Sequence, residues 1–257
     1  MKSNPILIVL FLFVHLAVHS QVDNSTSFVS DRPGMGTPPD ILATRSLQIE
    51  DGFQYVNTTD GIIRYENYLF SSLLVRYGVS KRFEMRIQTD YAENKEISTS
   101  TSAISGLNPV TIGSKIKLVQ QRKFLPNISL LLNVTLPYVG RREFRPDNLA
   151  PSFFLLMSND ITQKLNVCYN YGIIWDGSSS SPTHFYALCL GANLDSRWST
   201  FIEGYGFSNK STTPVYYIDA GFAYLITGHL QIDLSAAGYL NSFADYYLLN
   251  TGIAWKI

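Results

Sequence analysis

The sequence predicts an all-β fold: a transmembrane, up-and-down antiparallel β-barrel of about twelve strands, of the bacterial outer-membrane type. Three observations carry that expectation. The first is the stretch from Arg82 to Tyr91. Arg82, Glu84, Arg86, Gln88 and Asp90 fall on one parity, and Phe83, Met85, Ile87, Thr89 and Tyr91 on the other. Period-2 alternation marks a strand with two unlike faces. A membrane barrel turns such an apolar face to lipid and its charges to the lumen, the reverse of a soluble sandwich. The second is an N-terminal secretory signal, with Lys2, an apolar run from Ile6 to Val18 and a cleavage site at Val18-His19-Ser20. That run is too short to span a bilayer, and His15 interrupts it. The third is the lack of any other long apolar run, so a membrane span has to be built from strands.

These features divide the chain into a signal peptide (1–20), an irregular periplasmic N-terminal segment (21–43) and the barrel (44–257). Residues 21–43 are rich in proline and glycine, with Pro33, Gly34, Gly36, Pro38 and Pro39. Such a segment either folds into the barrel mouth or extends into the periplasm. The first strand, Thr44 to Val56, sets Gln48, Glu50, Gly52 and Gln54 against Leu47, Ile49, Phe53 and Tyr55. Asp51 falls among the apolar residues, and a bulge near Asp51-Gly52 would re-aim it. A polar loop, Asn57 to Glu66, leads to the second strand, Asn67 to Tyr77. A five-residue connection from Gly78 to Arg82 then sets Tyr77 opposite Phe83 and Arg76 opposite Glu84.

Alternation continues after a Ser/Thr-rich loop, Ala92 to Asn108. Strands follow at Pro109–Val119, Asn127–Pro137, Ser152–Asp160, Lys164–Trp175, Thr183–Leu194, Trp198–Ser208, Pro214–Leu225, His229–Leu240 and Tyr246–Ile257. In the strand from Trp198, the need to bring Glu203 inward takes Phe201 and Tyr205 with it. Short turns alternate with longer loops, as in barrels with periplasmic turns and external loops. Tyr77, Phe83, Trp198 and Trp255 fall near turn-side ends, and Tyr55, Tyr91 and Trp175 near loop-side ends, giving two aromatic girdles. The first and last strands can pair and close the sheet.

By parity the lumen collects Glu50, Arg76, Glu84, Arg86, Asp90, Lys115, Lys117, Glu203, Asp219, Asp233 and Lys256 as pore-lining and constricting residues. Formal net charge is zero, so nothing points to nucleic acid. No cluster has metal-ligand spacing, and no cofactor is expected. Cys168 and Cys189 share the lumen parity of neighbouring strands and could approach each other, with unpaired thiols the favoured reading. The loop Tyr138 to Ala150, with Arg141, Arg142 and Arg145, reads as a solvated surface loop.

With these residues in view, the chain resembles the outer-membrane barrel family named for the MetA pathway of phenol degradation, whose members are described as transporters. Ser30-Asp31-Arg32-Pro33 resembles the family's opening "TDRP". Leu47 to Phe53 resembles its first strand, and Arg76-Tyr77-Gly78 with Phe83-Glu84-Met85-Arg86 its "RYG…FELR" hairpin. Gly113-Ser114-Lys115, Leu136-Pro137, Tyr169 to Gly172 and Glu203 to Gly206 resemble later elements. The likeness runs from about Asp31 to Ile257. It implies a channel or transporter for small, apolar or aromatic molecules. The expected partners are outer-membrane lipid, an unidentified solute and the outer-membrane assembly machinery.

Two other functions compete. A lipid hydrolase would need a nucleophile, a histidine and an orienting group. His184, outward near an external end, is the candidate histidine, and no orienting partner can be nominated, so an enzyme is not expected. A plugged structural or adhesive barrel would carry no solute.

Overall fold

In the computed structural model, which describes residues 28–60, 63–97, 102–240 and 245–257, the alternating segments become thirteen strands of one antiparallel sheet. They are β1 (Leu47–Asp60), β2 (Ile63–Ser80), β3 (Phe83–Glu96), β4 (Ser102–Leu107), β5 (Thr111–Val119), β6 (Asn127–Thr135) and β7 (Ala150–Asp160). After them come β8 (Leu165–Ile174), β9 (Thr183–Asn193), β10 (Trp198–Ser208), β11 (Val215–Thr227), β12 (Leu230–Tyr239) and β13 (Tyr246–Lys256). The signal sequence and residues 21–27 lie outside the described residues.

The sheet closes on itself. β1 pairs with β13 in unbroken register from Gln48↔Lys256 to Thr58↔Tyr246. Strands β4 and β5 share one place in the wall: β4 pairs with the outer part of β3 (Tyr91–Glu96) and β5 with its inner part (Phe83–Gln88). The wall therefore has twelve strand positions. Closure removes the free edges that would otherwise template aggregation, and it satisfies backbone groups that lipid cannot.

The facing is inside-out relative to a soluble sandwich. Along β3, Met85 and Ile87 are 50% and 51% exposed, while Glu84 is fully buried and Arg86 nearly so. The same split recurs on β10 and β11, where Ile202 and Phe222 face out and Glu203 and Asp219 in. Tyr77, Trp198 and Trp255 are exposed on the turn side and Tyr91 on the loop side.

Three local expectations are corrected. The stretches Asn57–Glu66 and Ala92–Asn108 are not loops throughout. β1 runs to Asp60 and β2 starts at Ile63, while β3 runs to Glu96 and β4 occupies Ser102–Leu107. These strand tips carry polar residues on both faces, so apolar alternation ends while backbone pairing continues. The β2–β3 hairpin is also tighter than expected. β2 reaches Ser80, Lys81 and Arg82 make the turn, and the register sets Arg76 opposite Arg86, Tyr77 opposite Met85 and Gly78 opposite Glu84. A register shift between Gly78 and Ser80 absorbs the difference. Finally, the irregularity near Asp51 lies on β2. Between Leu69 and Ser71 that strand slips by one residue against β3, and it shifts against β1 between Glu50 and Gln54. Asp51 keeps its parity, and the slip brings the Ser71 hydroxyl to donate to its carboxylate at 2.8 Å.

Outside the membrane, side chains close the connections. In the loop after β6, Arg141 pairs with Glu143 at 3.1 Å and donates to the Ser105 carbonyl of β4. Asp195, in the β9–β10 turn, accepts from the Trp198 and Arg197 amides at 2.7 Å each. Those two donors hold its carboxyl below the usual carboxylate range.

Candidate functional site: a lumen divided by an inserted segment

Residues 28–46 run inside the barrel. Proline and glycine deny this stretch regular pairing, so its backbone groups need other partners. Inward side chains of the wall supply them. Gln48 Nε2 donates to the Val29 carbonyl at 2.8 Å, and Glu50 accepts from the Ser30 hydroxyl and the Asp31 amide at 3.1 Å each. Ser129 donates to the Pro39 carbonyl at 2.5 Å, and the Leu42 amide donates to Glu84 at 2.9 Å.

At the centre lies a buried ion-pair network. Arg76 grips Glu84 with two donors, Nε at 2.8 Å and Nη2 at 3.0 Å, and turns Nη1 to Glu50 at 2.8 Å. The same Nη1 lies 3.2 Å from Asp31, which also meets Arg86 at 2.5 Å and Lys115 at 3.0 Å. Arg76, Arg86 and Lys115 thus face Asp31, Glu50 and Glu84, three charges against three. The directly opposed Arg76 and Arg86 would repel. They coexist because Asp31 and Glu84 both lie within ion-pair distance of each. Arg76 therefore reaches Glu84 diagonally, two positions along the partner strand from Arg86. Lys115 adds hydrogen bonds to the Pro38 and Asp40 carbonyls, and Lys117 pairs with the Asp40 carboxylate at 2.9 Å. This satisfies the rule that buried charges persist when paired and hydrogen-bonded.

A second anchor sits across β1, β12 and β13. Arg32 donates to Asp233 through Nε at 3.2 Å and Nη2 at 3.1 Å, and to Asn250 at 2.7 Å. Its guanidinium lies flat over Gly52 and Gly252, which face each other on β1 and β13. A Cβ on either glycine would come within 2.3 Å of it. Only hydrogen at both positions leaves room for that approach.

The opposite wall is different. The inserted segment meets β8–β10 through few contacts: the Met35 amide donates to Glu203 at 2.9 Å, and Thr37 exchanges hydrogen bonds with the Asn170 amide at 2.7 and 3.0 Å. Among the described residues, neither Glu203 nor Asp219 has an ion-pair partner. Toward the external loops the same wall is aromatic. Tyr217 packs on Tyr205, Tyr239 and Tyr246 with ring centroids 4.8–4.9 Å apart. Phe185 lies 5.3 Å from Phe207 and 5.9 Å from Phe154. Phe185, Tyr205, Ala237 and Leu248 are buried there.

The eleven charged residues picked by parity therefore have different surroundings. Glu50, Arg76, Glu84, Arg86, Lys115 and Lys117 meet the inserted segment or one another, and Asp233 meets Arg32. Asp90 stands apart toward the loops, 3.5 Å from the Asn108 amide, and Lys256 is buried beside the turn-side end of β1. Sequence reasoning assigned no role to Asp31, Arg32 and Asp40. The signal for the first two was in hand, in the Ser30-Asp31-Arg32-Pro33 run. Cys168 and Cys189 face each other directly on β8 and β9 as free thiols. His184 accepts or donates at Nδ1 with the Tyr171 hydroxyl at 2.8 Å, outside the lumen.

A closed twelve-position antiparallel wall with lipid-facing apolar residues and buried lumen charges defines an outer-membrane β-barrel. Residues 30–257 match the family described as "Putative MetA-pathway of phenol degradation", and the chain belongs to that family. No curated protein matches its sequence. In fold it is similar to an outer-membrane channel from Pseudomonas putida F1, with a TM-score of 0.72 at 12% identity, covering 88% of this chain and 99% of that one. The NanC porin has a TM-score of 0.52 at 11% identity, covering 82% and 100%. The KdgM porin in complex with oligogalacturonate has a TM-score of 0.53 at 8% identity, covering 82% and 98%.

Proposed function

We propose that the protein is a passive outer-membrane channel for small, weakly polar solutes, with the inserted segment as a partition fixed along one edge. The observation that carries this reading is the asymmetry of the lumen. Ion pairs strap residues 28–46 to β1–β6 and, through Arg32, to Asp233 on β12, and so remove most lumen charge from the path. Solutes pass between the free edge of the segment and β8–β11, entering over the aromatic surface of Tyr205, Tyr217, Tyr239 and Tyr246. Such a surface suits single-ring or apolar solutes better than sugars. The family's tie to phenol degradation points the same way. On this reading the paired lumen charges narrow the pore, with Arg76 and Glu84 among them.

The hydrolase reading has less support: His184 meets a tyrosine hydroxyl on its Nδ1 side and lies apart from the buried carboxylates. Uptake of a labelled neutral single-ring alcohol by cells with and without the protein tests the proposal. Faster uptake with the protein is expected, and equal rates would refute it in favour of a plugged structural barrel.

A further inference from the structure

Between the inserted segment and the turn-side halves of β8–β12 lies a cavity of about 250 Å3. Its lining includes Phe28, Phe201, Cys168, Cys189, Glu203 and Gln231. That is below the ~300–1,000 Å3 of pockets for drug-sized ligands, and it suits a single ring with a short side chain. Resting on the channel reading above, we infer that this cavity is a binding subsite for a small organic cation, a primary ammonium carried on one ring. Its counter-ion is Glu203, and the channel thereby prefers cations and neutral solutes to anions.

Cys168, Cys189, Glu203 and Asp219 stand directly opposite one another, in turn, on four adjacent strands. All four have the inward parity. Two ionised carboxylates facing each other across neighbouring strands repel. Near the inserted segment, Asp31, Glu50, Glu84 and Asp233 each meet a guanidinium. Here Glu203 and Asp219 are 1% and 2% exposed, and the row holds no base.

Hydrogen bonding does not complete the site either. Met35 donates to Glu203 Oε2, but Oε1 has no partner. A buried polar atom without a partner is costly, so the unsatisfied Glu203 oxygen at the cavity wall calls for a donor. An ammonium supplies three N–H donors and a charge.

The other charges at the cavity do not oppose this. Arg32 lines it, yet its guanidinium is committed to Asp233 and Asn250. Asp31 lines it too and is committed to Arg76, Arg86 and Lys115. Glu203 is the lining charge left over. The rings of Phe28 and Phe201 add faces that attract a cation and pack against the solute's own ring. No inward residue of β8–β12 is basic, so the wall's field draws cations and repels anions along its length.

Cys168 and Cys189 are built-in reporters, because both line the cavity. The test compares two methanethiosulfonate reagents on the folded barrel in liposomes, one ending in aminoethyl and one in sulfonatoethyl. The rate ratio is normalised to the same pair reacting with free 2-mercaptoethanol. The inference predicts a normalised preference for the cationic reagent of tenfold or more. It also predicts that the preference collapses toward one in Glu203→Gln and Asp219→Asn, with benzylammonium protecting the thiols and benzoate not. Heat-modifiable gel mobility verifies that both variants fold. A normalised ratio near one in the wild type, or a preference that survives both substitutions, overturns the inference and leaves the channel reading standing. Failure of both reagents on folded protein, with full reaction after denaturation, overturns the channel reading as well, since no passage then reaches β8–β12.

Discussion

The two sides of this lumen were made from the same kind of strand and arrive at opposite relations with the segment between them. On β1–β6, the charges that meet the segment are matched: three cations against three anions around Arg76, with Lys117 and Asp40 beyond. On β8–β11 the segment touches the wall through Glu203, Asn170 and Cys168, and among the described residues Glu203 and Asp219 have no cation. Inward charge alone therefore does not say whether a barrel wall is a fastening or a passage. What matters is whether the charge has been spent on the segment.

The largest effect should come from Arg76→Ala. That change leaves Asp31, Glu50 and Glu84 without their shared cation, and removing one partner of a buried pair costs about 3–5 kcal/mol. A lower folding midpoint by gel mobility in urea is expected, together with larger and noisier single-channel currents as the segment comes away. A stable barrel with unchanged current would erase the difference between the walls.

Gly252→Val is expected to act less strongly. The new side chain occupies the place of the Arg32 guanidinium and leaves Asp233 buried without it, a loss on the order of 2 kcal/mol. Gly52→Val on the facing strand should reproduce this effect, because both glycines floor the same group. Melting of the two single variants and the double variant would show strong non-additivity.

Asn170→Ala removes both bonds to Thr37 and should cost only about 1 kcal/mol. Its signature is kinetic: more frequent openings, with the closed-state stability hardly changed. Should Asn170→Ala and Arg76→Ala destabilise equally, the segment is held evenly and the comparison fails.

The smallest effect concerns the turn beneath the open wall. Asp195 has its carboxyl lowered by the Trp198 and Arg197 amides. A depressed folded value stabilises the turn above the ordinary carboxylate range, and that contribution is lost as pH falls through the folded value. Asp195→Asn should abolish this acid dependence in the local exchange of the Arg197 amide while leaving channel current unchanged.

How much of this was legible in the sequence depends on range. The barrel, its facing and its closure follow from period-2 patterning, since lipid outside and charge inside leave one consistent parity for residues such as Met85 and Glu84. The strand tips beyond Val56 and Tyr91 were illegible because outside the bilayer neither face has to be apolar. The exact β2–β3 register was also hidden. A two-residue turn with a shift at Gly78 and a five-residue connection fit the same residues, and they differ in whether Arg76 meets Arg86 or Glu84. The wall partners of Asp31, Arg32 and Asp40 were hidden for a different reason, although the Ser30-Asp31-Arg32-Pro33 run marked the first two. An irregular segment has no period, so nothing in it announces which side chain will meet which wall.

On the channel reading, one edge of the inserted segment is fixed and the other is free to lift. Amide hydrogen exchange, followed by NMR on isotope-labelled barrel in detergent micelles, reads both edges in one sample. The amides of Asp31 and Leu42, bonded to Glu50 and Glu84, report the ionic wall; those of Met35 and Thr37, bonded to Glu203 and Asn170, report the other. Exchange at Met35 and Thr37 at least tenfold faster than at Asp31 and Leu42 is the predicted result. Equal protection at all four, or faster exchange at Asp31 and Leu42, would contradict the account.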